Sequence, residues 1–212
     1  MNHHESLGHR LPGDGLTRHD VRSPAGLILA LHGGKQASRA PVDGRSASWR
    51  RMATLQRTLT PDAHDAGIST WLLRYRQRGW NAGAPVADAR WALDQVREQL
   101  GQVPVVLLGH SMGARTAAYV ADDPSVVGVV ALAPWWQPDD PVTRLAGKPV
   151  AAAHGSTDKI TSARLTCAFL DRADQVGART EFLDMGRVGH YMLRRVSRWN
   201  DFALTRSLRL LT

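Results

Sequence analysis

The chain has 212 residues, of which 43% are hydrophobic and 22% are charged; these proportions are typical of a soluble globular protein and exclude a disordered or fibrous one. A net charge of +8 raises nucleic acid as a partner, but the arginines are spread along the chain and no nucleic-acid-binding motif accompanies them, so we expect no nucleic-acid binding. A single cysteine excludes an internal disulfide and favours a cytoplasmic protein.

The chain starts with a polar segment, residues 1–20, which lacks the apolar stretch of a signal peptide. We expect this segment to be partly disordered or to form an edge strand, with the strand at about residues 16–21. The longest apolar run, residues 126–136, is shorter than the roughly 20 residues needed to cross a bilayer, so we expect no membrane span. One domain over residues 1–212 is the predicted organisation.

Short apolar runs then alternate with longer amphipathic segments, a pattern that predicts an α/β fold with a mostly parallel central sheet and helices on both faces. The predicted strands are residues 26–31, 69–74, 103–108, 126–132, 149–153 and 180–183. The predicted helices are residues 48–64, 85–100, 112–122, 162–176 and 192–210. Thr161 or Ser162 is expected to cap the fourth of these helices.

The strand at 103–108 is followed by GHSMG, residues 109–113, which fits the pattern G-x-S-x-G between a strand and a helix. A turn this tight leaves no room for side chains at positions 109 and 113, so glycine is needed at both, and Ser111 projects above the sheet. The pattern predicts that Ser111 is a nucleophile. The competing interpretation is an ordinary helix N-cap, but a capping serine needs no flanking glycines.

A serine nucleophile needs a base, and the base needs an acid to orient it. His190 and Asp158 follow the last two predicted strands, in the chain order Ser, Asp, His. His154 is a rival base. The rival acids are Asp139, Asp140 and Asp184.

The predicted strand at 26–31 leads into LHGG, residues 31–34, where a backbone N–H can complete an oxyanion hole with the N–H of Met112. We expect Gly34 to be that second donor, with Gly33 as the alternative and His32 ordering the loop.

The motifs LHGG, GHSMGA, HGSTDKI (residues 154–160) and GH (189–190) together resemble the α/β-hydrolase superfamily, from about Leu27 onward, in its small serine-esterase or lipase-like form. The resemblance implies a catalytic triad of Ser111, Asp158 and His190, and hydrolysis of carboxylic esters through an acyl-enzyme. No cofactor or metal is implied. The segment between the strands at 126–132 and 149–153 is too short for a cap domain.

The expected partner is a small-molecule ester or acyl substrate, with Trp135, Trp136 and Tyr191 as candidate substrate-binding residues. For the tryptophans, a hydrophobic plug over the sheet edge is an equally good interpretation. Trp80 is a further candidate for the border of the cleft. Alternative functions are thioester hydrolysis or acyl transfer on the same triad, or ligand binding without catalysis. The oligomeric state is open.

Overall fold

The structure, a computed structural model, describes residues 15–212, so the expectation for residues 1–14 lies outside the described range. Within that range one sheet has seven strands in the order β1-β3-β2-β4-β5-β6-β7. Every neighbouring pair is parallel except β1 and β3, which are antiparallel. The predicted α/β fold with a mostly parallel sheet is confirmed.

The strands lie where the apolar runs predicted them, with shifts of one or two residues at several ends. They are β1 (Leu16–His19), β2 (Gly26–Leu31), β3 (Ile68–Leu73), β4 (Val105–His110), β5 (Val126–Leu132), β6 (Pro149–His154) and β7 (Arg179–Asp184). The edge strand expected near residue 16 is β1, which pairs with β3 from Leu16 opposite Leu73 to His19 opposite Thr70.

Five α-helices cover the two faces of the sheet among the described residues. They are α1 (Ala47–Asp65), α2 (Ala84–Leu100), α3 (Met112–Val120), α4 (Ala163–Gln175) and α5 (Val196–Leu211). Side chains of a strand alternate between faces, so Leu27, Leu29 and Leu31 pack with α2 and α3, whereas Ile28 and Ala30 pack with α1 and α5. Burial on both faces explains why these strands are continuously apolar.

The last helix begins later than predicted. The expected start was residue 192, but α5 starts at Val196 because Met192 and Arg195 have φ angles of 56° and 55°, which an α-helix does not allow. The residues before α5 therefore form an irregular loop after β7.

The connection between β5 and β6, residues 133–148, contains a short 3-10 helix (Thr143–Leu145) and no cap domain. The carboxyl ends of β2, β4, β6 and β7 consequently meet at an uncovered edge of the sheet. In open α/β sheets this edge is where ligands bind. No helix within residues 15–212 has the length and apolar character of a membrane span.

Candidate active site

Ser111 lies in the sharp turn between β4 and α3. Its backbone has φ 55° and ψ −118°, a conformation that L-residues rarely adopt and that costs about 1–3 kcal/mol. Two backbone hydrogen bonds stabilise the turn. The Ser111 N–H donates to the Leu132 carbonyl at 3.0 Å, and the Ser111 carbonyl accepts from the Ala114 N–H at 3.1 Å. A strained serine at a helix N-terminus, above the sheet edge, is the geometry that the G-x-S-x-G pattern predicts.

The two glycines of the turn are required by close backbone contacts. A Cβ at Gly109 would lie 2.4 Å from both the N and Cα atoms of Ala114. A Cβ at Gly113 would lie 2.0 Å from the Leu31 carbonyl oxygen, which brings α3 directly against the end of β2. Neither backbone neighbour can move aside cheaply.

The structure brings Ser111, His190 and Asp158 into one hydrogen-bonded chain. His190 Nε2 lies 3.0 Å from Ser111 Oγ, and His190 Nδ1 lies 2.8 Å from Asp158 Oδ2. Both contacts are within hydrogen-bond range, and the imidazole is 6% exposed. Because a carboxylate only accepts, Nδ1 carries the proton and Nε2 is left free to take one from the serine hydroxyl.

Asp158 receives an unusually complete set of donors. Its Oδ1 accepts from the backbone N–H groups of Ile160 and Thr161 at 2.8 and 2.9 Å. Its Oδ2 accepts from His190, from the Thr161 hydroxyl at 3.0 Å and from His154 Nε2 at 3.2 Å. Burial raises the pKa of the carboxyl, but these hydrogen bonds outweigh burial and hold the pKa well below its usual range. Asp158 is therefore ionised at neutral pH.

His154, the rival base, touches the acid and not the serine. It is fully buried, and its Nδ1 lies 2.8 Å from the Thr166 hydroxyl while its Nε2 faces Asp158. The ring can therefore donate to Asp158 through Nε2 while its other nitrogen bonds the Thr166 hydroxyl. The sequence predicted Thr161 or Ser162 as the cap of α4, and Ser162 is the cap, since it accepts from the Leu165 N–H. The Thr161 hydroxyl instead donates to Asp158, a contact that the sequence did not predict.

The loop after β2 lies against the turn that carries Ser111. A Cβ at Gly34 would lie 2.4 Å from Met112 Cε and 2.5 Å from the Arg78 carbonyl oxygen. The Lys35 N–H is already bound to that carbonyl at 2.7 Å. A Cβ at Gly33 would lie 3.3 Å from Ser111 Cβ, so both glycines of the loop adjoin the serine turn.

Two further histidines support these loops from inside the protein. His32 Nδ1 bonds the Gly33 carbonyl at 2.6 Å and its Nε2 accepts from the Tyr75 N–H at 3.3 Å; burial lowers its pKa to about 4. His110 Nε2 donates to the His190 carbonyl at 3.1 Å, and burial lowers the His110 pKa to about 3. Both rings are neutral at pH 7, and His32 orders the loop as predicted.

A cavity of about 500 Å³ opens above Ser111 and His190. Gly33 and Gly34 line it on one side, together with the predicted substrate-binding residue Tyr191. The start of α1 lines another side and contributes arginines, which sequence reasoning missed because nothing in the local sequence of α1 marks it as part of a site.

The two tryptophans after β5 do not line this cavity. Trp136 is 2% exposed, stacks on Phe169 at 4.1 Å and donates from Nε1 to the Ala114 carbonyl, so it is a plug over the sheet edge. Trp135 borders a neighbouring pocket beyond the Asp158 loop. Trp80 is also buried, beneath the Arg115 guanidinium at 4.3 Å.

The rival acids have other surroundings. Asp140 is fully buried and its Oδ1 accepts from Arg115 Nε and Nη2 at 2.9 and 2.7 Å. Asp184 accepts from the Gly186 N–H in an exposed turn, and Asp139 is exposed. None of the three is bonded to the imidazole that faces the serine.

Arg76 and Arg78, two arginines of the loop after β3, are both paired with carboxylates. Arg76 Nε lies 2.5 Å from Asp88, and Arg78 Nη2 lies 3.1 Å from Asp43. Within residues 15–212, no three His, Cys, Asp or Glu side chains are grouped as a metal site requires.

The sequence model of one protein family, described as the alpha/beta hydrolase fold, matches residues 27–166, which is more than half of the chain. No curated protein sequence matches the chain.

Many solved structures share this fold. An α/β serine hydrolase homologue from Coxiella burnetii is 20% identical, with 90% of this chain and 89% of that chain covered and a TM-score of 0.68. A serine hydrolase without a lid from Xanthomonas campestris is 19% identical, with 92% and 87% covered and a TM-score of 0.66. Est1E from Butyrivibrio proteoclasticus, with ferulic acid bound, is 12% identical, with 92% and 94% covered and a TM-score of 0.65. At these identities the likeness concerns the fold.

Proposed function

Since the chain belongs to the alpha/beta hydrolase fold family, we propose that it is a serine hydrolase that cleaves carboxylic esters through an acyl-enzyme intermediate. The observation that carries this proposal is the hydrogen-bonded chain from Ser111 Oγ through His190 to Asp158, at the floor of an open cavity. A buried imidazole with a carboxylate on one nitrogen and a strained serine on the other has no evident structural purpose. It is the arrangement that activates a serine.

In the first half-reaction, Ser111 Oγ attacks the ester carbonyl carbon while His190 Nε2 takes the hydroxyl proton. The tetrahedral intermediate collapses when the alkoxy group leaves with that proton, and an acyl ester remains on Ser111. A water molecule then attacks the acyl carbonyl, with His190 again as base. The carboxylic acid is released and the serine hydroxyl is restored.

Asp158 orients the ring of His190 and stabilises the imidazolium that forms at each step. Because its pKa is held low, it stays ionised and does not take the proton itself. The donors from Thr161 and His154 fix the carboxylate, so that Oδ2 faces the imidazole.

The backbone N–H groups of Met112 and Gly34 are the proposed oxyanion hole. Met112 is the first residue of α3, where backbone N–H groups have no partner within the helix. The contact between Gly34 and the Met112 side chain supports a common position for the two donors. Preformed donors of this kind stabilise the negative charge that develops on the carbonyl oxygen.

Hydrolysis of p-nitrophenyl butyrate by purified protein tests the proposal. We expect Ser111→Ala to abolish turnover, and Ser156→Ala, which alters an exposed serine of the loop that carries Asp158, to retain it. Full activity of Ser111→Ala would contradict the assignment. The rate with the matching thioester, measured in parallel, separates ester from thioester hydrolysis.

A further inference from the structure

The cavity above Ser111 has walls of two kinds. Arg45 and Arg50, both exposed, line it on the side of α1. Ile160, Tyr191 and Leu193 line it on the side of the loops after β6 and β7. Ser111 therefore shares one cavity with a cationic wall, Arg45 and Arg50, and an apolar wall, Ile160, Tyr191 and Leu193.

The cationic wall is not neutralised by the protein. No aspartate or glutamate lines the cavity, and neither Arg45 nor Arg50 has an ion-pair partner among the described residues. Asp43 accepts a hydrogen bond from the Arg45 backbone N–H at 3.0 Å, but the ion pair of its side chain is with Arg78. Arginines grouped at the mouth of a cleft, with no carboxylate among the residues that line it, create a positive potential that concentrates anions.

Arg51, the third arginine of this region, has a different role. Its guanidinium donates to the backbone carbonyls of Tyr191 and Met192 at 3.2 and 2.8 Å, and so holds the loop that carries His190. The charges available to a ligand are therefore those of Arg45 and Arg50.

The apolar wall is exposed to an unusual degree. Only five large apolar side chains are exposed among residues 15–212, and three of them line this cavity: Ile160, Tyr191 and Leu193, at 60%, 60% and 72%. A cluster of exposed apolar side chains costs stability in water and marks a binding surface. An apolar acyl or aryl group of the substrate would cover it.

We propose that the substrate is an ester that carries a negatively charged group, a carboxylate or a phosphate, together with an apolar group on the other side of the scissile bond. Arg45 and Arg50 bind the anion, and the wall of Ile160, Tyr191 and Leu193 binds the apolar group. This inference rests on the proposed function, because it places the scissile carbonyl at Ser111.

Two matched pairs of esters test the inference. In the first pair the charge is in the alcohol half: 4-carboxyphenyl butyrate against 4-(methoxycarbonyl)phenyl butyrate. In the second pair it is in the acyl half: phenyl hydrogen adipate against methyl phenyl adipate. For each pair the ratio of kcat/KM, anionic over neutral, is compared between the wild type and the double variant Arg45→Gln/Arg50→Gln. The intrinsic reactivity of each ester is the same for both proteins, so it cancels in this comparison. The pair of esters whose ratio changes in the double variant shows which half of the substrate carries the negative charge.

We expect the double variant to lower the ratio about three- to tenfold in one of the two pairs, a change that lies within the range for the loss of two exposed ion pairs. Salt at about 0.5 M should lower the wild-type ratio as well, since exposed charges are screened. The control is Arg22→Gln, which removes an exposed charge from the loop before β2, at the opposite end of this strand from the cavity, and should leave both ratios unchanged.

Equal ratios for the wild type and the double variant in both pairs would overturn the inference, while Ser111-dependent turnover of the neutral esters would leave the proposed function intact. A fall of the same size in Arg22→Gln would also overturn it, because net charge rather than the cavity would then be responsible. A folded protein that hydrolyses none of the four esters would count against the proposed function itself, and the inference would fall with it.

Discussion

The loop after β2 offers a sharp test of the oxyanion hole, through the substitution Gly34→Ala. A Cβ at this position would lie 2.4 Å from Met112 Cε and 2.5 Å from the Arg78 carbonyl oxygen. The methionine side chain can rotate away. The Arg78 carbonyl cannot move as freely, because it accepts a hydrogen bond from the Lys35 backbone N–H. The loop that carries the Gly34 N–H must therefore move.

Displacement of one oxyanion donor costs about 10²- to 10³-fold in kcat, since the donor acts on charge that is present only in the transition state. We expect this loss in Gly34→Ala with p-nitrophenyl butyrate, with a much smaller change in KM. The matched control is Gly44→Ala, because a Cβ at Gly44 meets no atom within 4 Å. Its kcat should equal that of the wild type.

Circular dichroism and thermal melting of both variants show whether a loss of activity reflects unfolding. A folded Gly34→Ala variant that keeps its kcat within about threefold of the wild type, well short of the loss of one oxyanion donor, would contradict the role of the Gly34 N–H. Gly33 would then become the alternative donor.

Three other outcomes follow from the geometry. Asp158→Asn should lower the kcat of the folded protein about 10⁴-fold, as expected when the base loses its orienting carboxylate. It should also lower the melting temperature, because an amide cannot accept from all the donors that face the carboxylate. Near-normal kcat would place the acid elsewhere. Asp140→Ala should lower the free energy of unfolding by about 3–5 kcal/mol, because it leaves Arg115 buried without its partner. The folded fraction should keep its kcat. A loss of kcat in folded protein would restore Asp140 as a rival acid. Burial lowers the pKa of His32 to about 4 and that of His110 to about 3. The unfolded chain binds these protons near pH 6.5, so stability falls as pH drops below that value, by about 3 kcal/mol for His32 alone at pH 4. Urea denaturation at stepped pH measures this, and flat stability from pH 7 to pH 4 would contradict it.

Much of the fold could be predicted from the sequence, because most of the buried strands are continuous apolar runs with turn residues at their ends. β2 and β5 begin and end at the predicted residues. The strand ends fix which loops share an edge of the sheet, and this is why the sequence could predict that Ser111, Asp158 and His190 lie together.

The side chains that surround these three could not be predicted in the same way. Trp135 and Trp136 follow Ala133, whose φ of 42° turns the chain, and Trp136 then stacks on Phe169 of α4. Neither the turn nor the partner is visible in local sequence. A pattern of apolar residues indicates burial but not which of two neighbouring spaces a ring will fill.

The arginines of the cavity were missed for a related reason. Arg45 lies just before α1 and Arg50 lies in its first turn, and only the tertiary structure brings them into one cavity with Ser111. Likewise, the contact of His154 with Asp158 depends on how the chain turns after β6. The positions of the arginines and this contact are set by the tertiary structure, so local sequence does not predict them.

The most direct test of the account is covalent labelling by a fluorophosphonate, which reacts with a serine only when a base has activated it. Peptide mass spectrometry of the labelled protein should locate a single adduct on Ser111, and the folded Ser111→Ala variant should take no label. A folded wild-type protein that stays unlabelled, or that carries its adduct on another serine, would contradict the central claim.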